Sequence, residues 1–212
     1  MIKNLKKVLK TILPSILLKF LKRINNIFIL KNWQKNGCPV PPPEIVKQNN
    51  IRDYQIKYGC RIFIETGTYL GDMVEAQKKI FKEIISIELD TKLFQKAQKR
   101  FKNDKHITIL HGDSGKVMPG IIQNISEPAI FWLDGHYSGG ITAKGDKNCP
   151  IFEEIDSILK NNTFAHILLI DDARDFNGTG DYPMIDKLKE FIWEYNKNYQ
   201  IVVKHDIIRC TI

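Results

Sequence analysis

The sequence predicts an α/β fold: a doubly wound, Rossmann-like sheet of about seven strands with helices on both faces. Short β-branched runs alternate with segments of helical periodicity along residues 44–212. The run Ala129–Leu133 is apolar throughout, as expected for a parallel strand buried on both faces. The last two runs lie too close together for a helical crossover, so we expect them to pair antiparallel.

The individual strands are predicted from the β-branched runs, and the individual helices from the segments of helical periodicity. The predicted strands are Ile62–Ile64, Ile84–Leu89, Ile107–Leu110, Ala129–Leu133, His166–Ile170, Gln200–Lys204 and Ile207–Cys210. The predicted helices are Glu44–Lys57, Asp72–Lys82, Thr91–Phe101, Ser114–Ile125, Ile151–Lys160 and Tyr182–Tyr195. Thr91 is the expected N-cap of its helix.

An N-terminal arm of 43 residues differs in composition from the rest of the chain. Nine of the 32 basic residues precede Glu44 and no acidic residue does, which leaves 23 basic against 24 acidic residues in the body. The net charge of +8 therefore belongs to the arm. The near-neutral body argues against a nucleic-acid-binding groove, so we expect no nucleic-acid partner.

The arm itself predicts an amphipathic helix, which Pro14 is expected to break or kink. Its longest uncharged runs, Thr11–Leu18 and Ile24–Leu30, are far shorter than the ~20 residues needed to span a bilayer. One interpretation places residues 1–31 on an anionic membrane surface. The other packs them on the domain or against a second copy in a homo-oligomer. The proline-rich stretch 33–43 predicts an extended spacer, so we place the domain boundary after Pro43.

The four cysteines are scattered, without C-x-x-C or zinc-ligand spacing. Reduced thiols in a cytoplasmic protein are the preferred interpretation. With the membrane interpretation of the arm, the protein would lie on the inner face of a membrane.

The stretch RIFIETGTYLGD, residues 61–72, leads from a strand through a glycine turn into a helix. Glu65, Gly67 and Gly71 have the spacing E-x-G-x-x-x-G, which lets the backbone turn sharply and approach a bound molecule closely. The spacing is not the dinucleotide fingerprint G-x-G-x-x-G.

Acidic residues follow the ends of the early strands, where a parallel sheet gathers them on one edge. They are Glu65, Glu88, Asp113, Asp134, Asp171 and Asp172. Glu88 comes 23 positions after Glu65, close to the ~20-residue offset at which an acid accepts hydrogen bonds from a ribose diol.

The segment from Glu65 to Gly71 resembles the first motif of the class I S-adenosylmethionine-dependent methyltransferases. This resemblance implies that Glu88 holds the ribose of S-adenosylmethionine, that Asp113 and Ser114 contact its adenine, and that the glycine loop faces its methionine part. It extends over about residues 65–172.

Asp134, Asp171 and Asp172 stand in FWLDGHYSGG and LLIDDARD. Three carboxylates in one cleft repel unless a cation joins them, and an all-oxygen set favours a hard ion such as Mg²⁺. The arrangement is similar to that of the divalent-metal O-methyltransferases of the macrocin type, which implies a hydroxyl of a sugar or glycan precursor as the acceptor. Two alternatives stay open: Asp172 as a helix cap, and Asp134 as a base without metal.

The loop after Asp134 is the second place where chemistry is expected. His136 could accept the hydroxyl proton near neutral pH, so Asp134 and His136 are the candidate catalytic pair. Substrate contacts are expected from Tyr137, Ser138 and Lys144. The loop glycines predict a mobile lid; they are Gly135, Gly139, Gly140 and Gly145.

The sequence thus predicts a methyltransferase that acts on a hydroxyl, and three rival functions are considered. A nicotinamide-dependent oxidoreductase would use Glu88 equally well for the NAD ribose, although it lacks the three-glycine fingerprint. A non-catalytic module could keep the fold and use the arm for assembly. A nucleic-acid methyltransferase is disfavoured by the neutral body.

Overall fold

A computed structural model describes residues 15–135, 149–160 and 164–212, apart from the side chains of residues 15, 16 and 19. The chain divides into two compact units, Met1–Lys47 and Gln48–Ile212. This division falls inside the second described helix, Glu44–Tyr58, four residues beyond the predicted boundary.

The first unit contains helix α1, Ser15–Lys35. It continues through Trp33, where the sequence predicted the spacer to begin, and ends just before Gly37, whose positive φ of 80° leaves the helical region. The Trp33 indole then donates a hydrogen bond to the Pro39 carbonyl (2.8 Å). The kink expected at Pro14 lies outside the described residues. In the described part of the chain, every helix is too short or too polar to cross a membrane.

The second unit is built on a seven-stranded sheet with the order β3-β2-β1-β4-β5-β7-β6. The strands are β1 Ile62–Thr66, β2 Glu83–Glu88, β3 Ile107–His111, β4 Ala129–Leu133, β5 Ile167–Ile170, β6 Gln200–Lys204 and β7 Ile207–Thr211. The first five are parallel, and β7 runs antiparallel to both β5 and β6. The predicted sheet and its antiparallel last pair are confirmed.

The helices of the fold lie near their predicted positions. They are α2 Glu44–Tyr58, α3 Asp72–Gln77, α4 Thr91–Phe101, α5 Ser114–Ile122, α6 Ile151–Leu159 and α7 Ile185–Tyr195, with a 3-10 turn at Ala173–Asp175. Several details of the prediction were wrong. Helix α5 ends at Ile122 and not at Ile125, and α7 begins at Ile185 and not at Tyr182. Helix α3 ends five residues early, and beyond its end the buried Phe81 ring packs at a tilt against the Phe63 ring (5.1 Å between centroids). The N-cap of α4 is Asp90 and not Thr91, since Asp90 Oδ1 accepts hydrogen bonds from the N–H groups of Lys92 and Leu93.

The two faces of the sheet bury separate hydrophobic clusters, as expected for helices on both sides. Neighbouring residues of β1 point to opposite faces. Ile64 packs in the cluster that contains residues of α5, α6 and α7. Phe63 packs in the other, with residues of α3 and α4. Both side chains are fully buried, so β1 is the centre of the core.

Candidate functional site

The carboxyl ends of the central strands meet at one edge of the sheet. The register places Thr66 beside Ile87 on β2 and beside Leu133 on β4, and it places Leu133 beside Ile170 on β5. The residues that follow these strands therefore lie along one line. This is the edge where doubly wound sheets bind their ligands.

Gly67 makes the turn after β1 with φ of +84°. Its N–H and that of Thr68 both donate to the Ile87 carbonyl, at 3.0 and 3.1 Å. A Cβ on Gly67 would lie only 2.3 Å from the backbone oxygen of Asp134. Glycine is thus required by the sharp turn that the sequence predicted and by the close approach of the Asp134 backbone. The predicted approach to a bound molecule stays a prediction.

Gly71, the second glycine of the motif, precedes α3 with φ of +75°. A Cβ there would meet the Phe101 ring of α4 at 2.7 Å. Helix α4 stabilises this turn in a second way. Arg100 donates hydrogen bonds to the Leu70 carbonyl and to the Asp72 carboxylate, at 2.5 and 2.8 Å. Packing within the protein accounts for this glycine too, and its cofactor role stays a prediction.

Glu65 lies in a buried chain of three polar side chains. Ser86 Oγ donates to Glu65 Oε2 at 2.5 Å and lies 2.6 Å from Thr68 Oγ1. All three residues are buried. The chain ties the glycine turn to β2, a role that the sequence analysis missed. The signal was a serine inside the apolar strand IISIE.

Glu88 ends β2 with both carboxylate oxygens bound to backbone N–H groups. Tyr69 N donates to Oε2 at 2.6 Å, and Asp90 N donates to Oε1 at 2.8 Å. Each oxygen keeps a second lone pair, which is the acceptor capacity that a ribose diol needs. Burial raises the pKa of Glu88, and the backbone hydrogen bonds oppose that rise in part.

Asp113 and Ser114 stand at the start of α5. Asp113 is the N-cap, and its Oδ1 accepts a hydrogen bond from Gly115 N at 3.0 Å. Ser114 Oγ donates to Glu154 Oε1 on α6 at 2.5 Å. Both side chains are therefore engaged within the protein, and adenine contact by either residue stays a prediction.

The structure brings the three predicted metal ligands together. One carboxylate oxygen from each of Asp134, Asp171 and Asp172, hereafter the acidic cluster, lies within 4.8 Å of the others. The Asp134 N–H donates to the Thr66 carbonyl (3.3 Å) and to Thr66 Oγ1 (3.1 Å), and the Asp171 N–H donates to the Leu133 carbonyl (3.1 Å). Asp171 is fully buried, while Asp134 and Asp172 are half-buried. These backbone bonds extend the sheet pairing and hold the cluster in place.

Asp172 has a left-handed backbone (φ 51°, ψ 48°), and its side chain does not cap the backbone N–H groups of the 3-10 turn that follows it. The helix-cap interpretation of this residue is therefore not favoured. Its Oδ1 instead accepts a hydrogen bond from Arg174 Nη1 at 2.8 Å, and the same nitrogen binds the buried carboxylate of Asp206. Arg174 thereby links the acidic cluster to the β6–β7 turn.

Three residues near this edge were missed by the sequence analysis as parts of the site. Glu154 is buried on the apolar face of α6, one turn after Ile151, where an acid is unusual. Arg174 stands between acids in LIDDARD. The third residue is Tyr182. Burial is the main cause that raises the pKa of its phenol, and the nearby Cys149 thiol and acidic residues, among them Asp172, raise the pKa further. The Tyr182 hydroxyl therefore keeps its proton.

The candidate base His136 lies outside the described residues, as do the predicted substrate contacts and three of the four lid glycines. Gly135 is described. A Cβ there would lie 2.9 Å from Thr66 Oγ1. Another histidine, His166, is buried at the start of β5, where burial lowers its pKa to about 4 and its Nδ1 accepts the Ala129 N–H (3.0 Å).

No protein-family profile matches this sequence. A curated rRNA adenine N-6-methyltransferase from Escherichia coli is 33% identical over 70 residues. The match covers 33% of this chain and 26% of that protein, so the chain spans about a quarter of the length of this relative.

Solved structures resemble the chain over most of its length. An O-methyltransferase from Bacillus cereus in complex with S-adenosylhomocysteine has a TM-score of 0.56 at 12% identity, covering 88% of this chain and 90% of that one. The O-methyltransferase TomG from Streptomyces achromogenes, in complex with S-adenosylmethionine, has a TM-score of 0.58 at 11% identity and covers 88% of both chains. The chain therefore has the Rossmann-like fold of the S-adenosylmethionine-dependent methyltransferases.

Proposed function

We propose that this chain is an S-adenosylmethionine-dependent O-methyltransferase that acts on a hydroxyl of a sugar or glycan precursor with the help of a divalent cation. One observation supports this most strongly. The acidic cluster converges on the same sheet edge as the Gly67 turn and the Glu88 carboxylate. A donor site and a cation site would then lie side by side.

The donor half of the proposal depends on β1, β2 and β3. Glu88 offers two carboxylate oxygens to the ribose hydroxyls, and backbone N–H groups fix their direction. Asp113 and Ser114 are proposed to lie at the adenine, and the turn from Glu65 to Gly71 at the methionine part. When bound, S-adenosylmethionine supplies a methyl group on a positively charged sulfur.

The cation half depends on β4 and β5. The donor set consists of carboxylate oxygens, which Mg²⁺ prefers. An ion about 2.1 Å from each oxygen holds them no more than about 4.2 Å apart. The three oxygens lie within 4.8 Å of one another, so a small inward movement of the side chains would suffice for ligation. When bound, such an ion would lower the pKa of an acceptor hydroxyl. Asp134 and His136 are the proposed proton acceptors, because one closes β4 and the other follows two residues later.

The likeness to rRNA adenine N-6-methyltransferases names a rival acceptor, a base nitrogen in RNA. Two observations favour a hydroxyl. Phosphates would approach the negative charge of the acidic cluster, and the chain after the arm carries nearly equal numbers of acidic and basic residues. A sugar hydroxyl is uncharged, so neither observation disfavours it as the acceptor.

Isothermal titration of the full chain tests the donor half. We expect S-adenosylhomocysteine to bind and NAD to give no heat. Binding of NAD alone would favour the oxidoreductase, and binding of neither would favour a non-catalytic module.

A second titration, with Mg²⁺, tests the cation half. Transfer of a labelled methyl group to uncharged oligosaccharides or to an rRNA fragment then identifies the acceptor class. We expect Mg²⁺-dependent label on the sugars. Label on RNA that persists in EDTA would contradict both the acceptor and the cation.

A further inference from the structure

The described part of helix α1 carries an exposed apolar stripe. Six large apolar side chains recur three or four positions apart on one face of the helix. They are Leu17, Phe20, Leu21, Ile24, Ile27 and Phe28. Phe28 is 72% exposed and Phe20 57%, which is far from the usual burial of phenylalanine. Such a continuous stripe marks an interaction surface.

Positive charge surrounds this stripe. The described helix carries Lys22, Arg23, Lys31 and Lys35, and it has no acidic residue. Lys31 follows Ile27 by four positions and Lys35 follows Lys31 by four, so both lysines extend the line of the stripe toward the helix C-terminus. The surface therefore combines apolar contact area with positive charge at its end.

The combination of apolar surface and positive charge indicates which kind of partner binds α1. A second copy of the arm would bring positive charge against positive charge, because no acidic residue precedes Glu44. A bilayer that contains anionic phospholipids offers an apolar layer for the stripe and negative headgroups for the lysines. Charge complementarity thus favours the lipid surface.

We propose that α1 binds the surface of an anionic phospholipid bilayer, with its apolar stripe at the boundary between headgroups and acyl chains. The stripe from Leu17 to Phe28 is about 18 Å long, whereas the hydrocarbon core is about 30 Å thick. The helix therefore lies along the surface. Lys31 and Lys35 contact the phosphate groups. This surface belongs to the first unit alone and does not depend on the proposed methyl transfer.

Vesicle flotation with the full chain tests the proposal. Vesicles of phosphatidylcholine alone are compared with vesicles in which about 30% of the lipid is phosphatidylglycerol. We expect at least tenfold tighter binding to the anionic vesicles and release as the salt concentration rises, because the phosphate contacts are screened.

Two variants test whether the apolar stripe of α1, and not an exposed apolar residue elsewhere, binds the vesicles. Phe28→Gln is expected to weaken vesicle binding at least threefold, and Phe20→Gln with Phe28→Gln at least tenfold. Ile56→Gln is the matched control, because Ile56 on α2 is also 72% exposed but lies outside the arm. It is expected to bind vesicles like the parent chain. An unchanged far-UV circular dichroism spectrum and an unchanged midpoint of urea unfolding check that each variant is folded.

Three results would overturn the proposal. One is equal binding to neutral and anionic vesicles, and another is equal loss of binding in Phe28→Gln and Ile56→Gln. The third is a chain that ignores vesicles but forms a dimer in light scattering that Phe20→Gln with Phe28→Gln dissolves. That outcome would assign the stripe to a second copy.

Discussion

The two halves of the sheet edge use carboxylates differently. On the side of β1 and β2, Glu65 accepts a hydrogen bond from the Ser86 hydroxyl, and Glu88 accepts from two backbone N–H groups. On the side of β4 and β5, the acids of the acidic cluster face one another within 4.8 Å, and the cation bound to Asp172 is Arg174.

This difference shows that the position of an acid at a strand end does not determine its use. A carboxylate fixed by neutral donors suits uncharged partners such as ribose hydroxyls. Carboxylates gathered against one another suit a cation, since Coulomb repulsion within the cluster falls when the cation binds. The two halves meet at Gly67, whose missing side chain leaves room for the backbone of Asp134.

The largest effect is expected where the halves touch. Gly67→Ala combines a left-handed backbone, which costs about 1–2 kcal/mol, with a Cβ 2.3 Å from a backbone oxygen. We expect a loss of at least about 3 kcal/mol in the free energy of unfolding, measured in urea. Affinities for S-adenosylhomocysteine and for Mg²⁺ should both fall.

Gly59→Ala is the matched control for this substitution. Gly59 also has a positive φ, of 69°, but a Cβ there would have no neighbour within 4 Å. Only the backbone cost of about 1 kcal/mol should appear. Equal losses at the two positions would show that the Asp134 contact relaxes freely and that the halves are not rigidly joined.

The next effect concerns the cation side alone. Asp172→Asn removes one negative charge and keeps a side chain that tolerates the left-handed backbone. We expect Mg²⁺ affinity to fall about 100-fold, with methyl transfer falling in parallel at low Mg²⁺. S-adenosylhomocysteine binding should change little, and titration calorimetry measures both.

Asp175→Asn provides the matched control. Asp175 also lies near Arg174, at 3.9 Å, but it is not part of the acidic cluster. Its Mg²⁺ affinity should stay within about twofold of the parent, as is typical of an exposed pair. A similar loss in both variants would mean that the Arg174 network, and not direct ligation, governs cation binding.

A smaller effect is expected on the donor side. Glu88→Gln keeps the shape of the side chain but removes its charge and one acceptor. Affinity for S-adenosylhomocysteine should fall about 10-fold, the value of one hydrogen bond to a charged group, while Mg²⁺ binding persists. Glu83→Gln, at the exposed start of the same strand, is the control. If Mg²⁺ affinity fell as much as donor affinity, the two halves would not be separate sites.

The sequence predicted which acids gather at the strand ends and missed the specific hydrogen bonds and close contacts between distant residues. The acids at strand ends could be found because β-branched runs mark the strands and a parallel sheet aligns their ends. The bond from Ser114 to Glu154 spans 40 residues, and the contact of Gly67 with Asp134 spans 67. No periodicity encodes such pairings, since they depend on how the strand ends and the helices pack in the finished fold.

The smallest expected effect is a pH dependence of S-adenosylhomocysteine affinity that comes from Glu88, on the donor side of the sheet edge. Burial raises the pKa of Glu88 above its ordinary value of 4.5, so this carboxylate takes up a proton at a higher pH than an exposed glutamate would. If Glu88 accepts hydrogen bonds from the ribose hydroxyls, as proposed, protonation turns one of its oxygens into a donor and weakens cofactor binding. Between about pH 7.5 and about pH 5 we expect S-adenosylhomocysteine affinity to fall by less than about 10-fold. In Glu88→Gln the affinity, already lower, should stay constant over the same range, because no charge is left to titrate. An equal slope in parent and variant would assign the pH dependence to another group and would remove Glu88 from the ribose site.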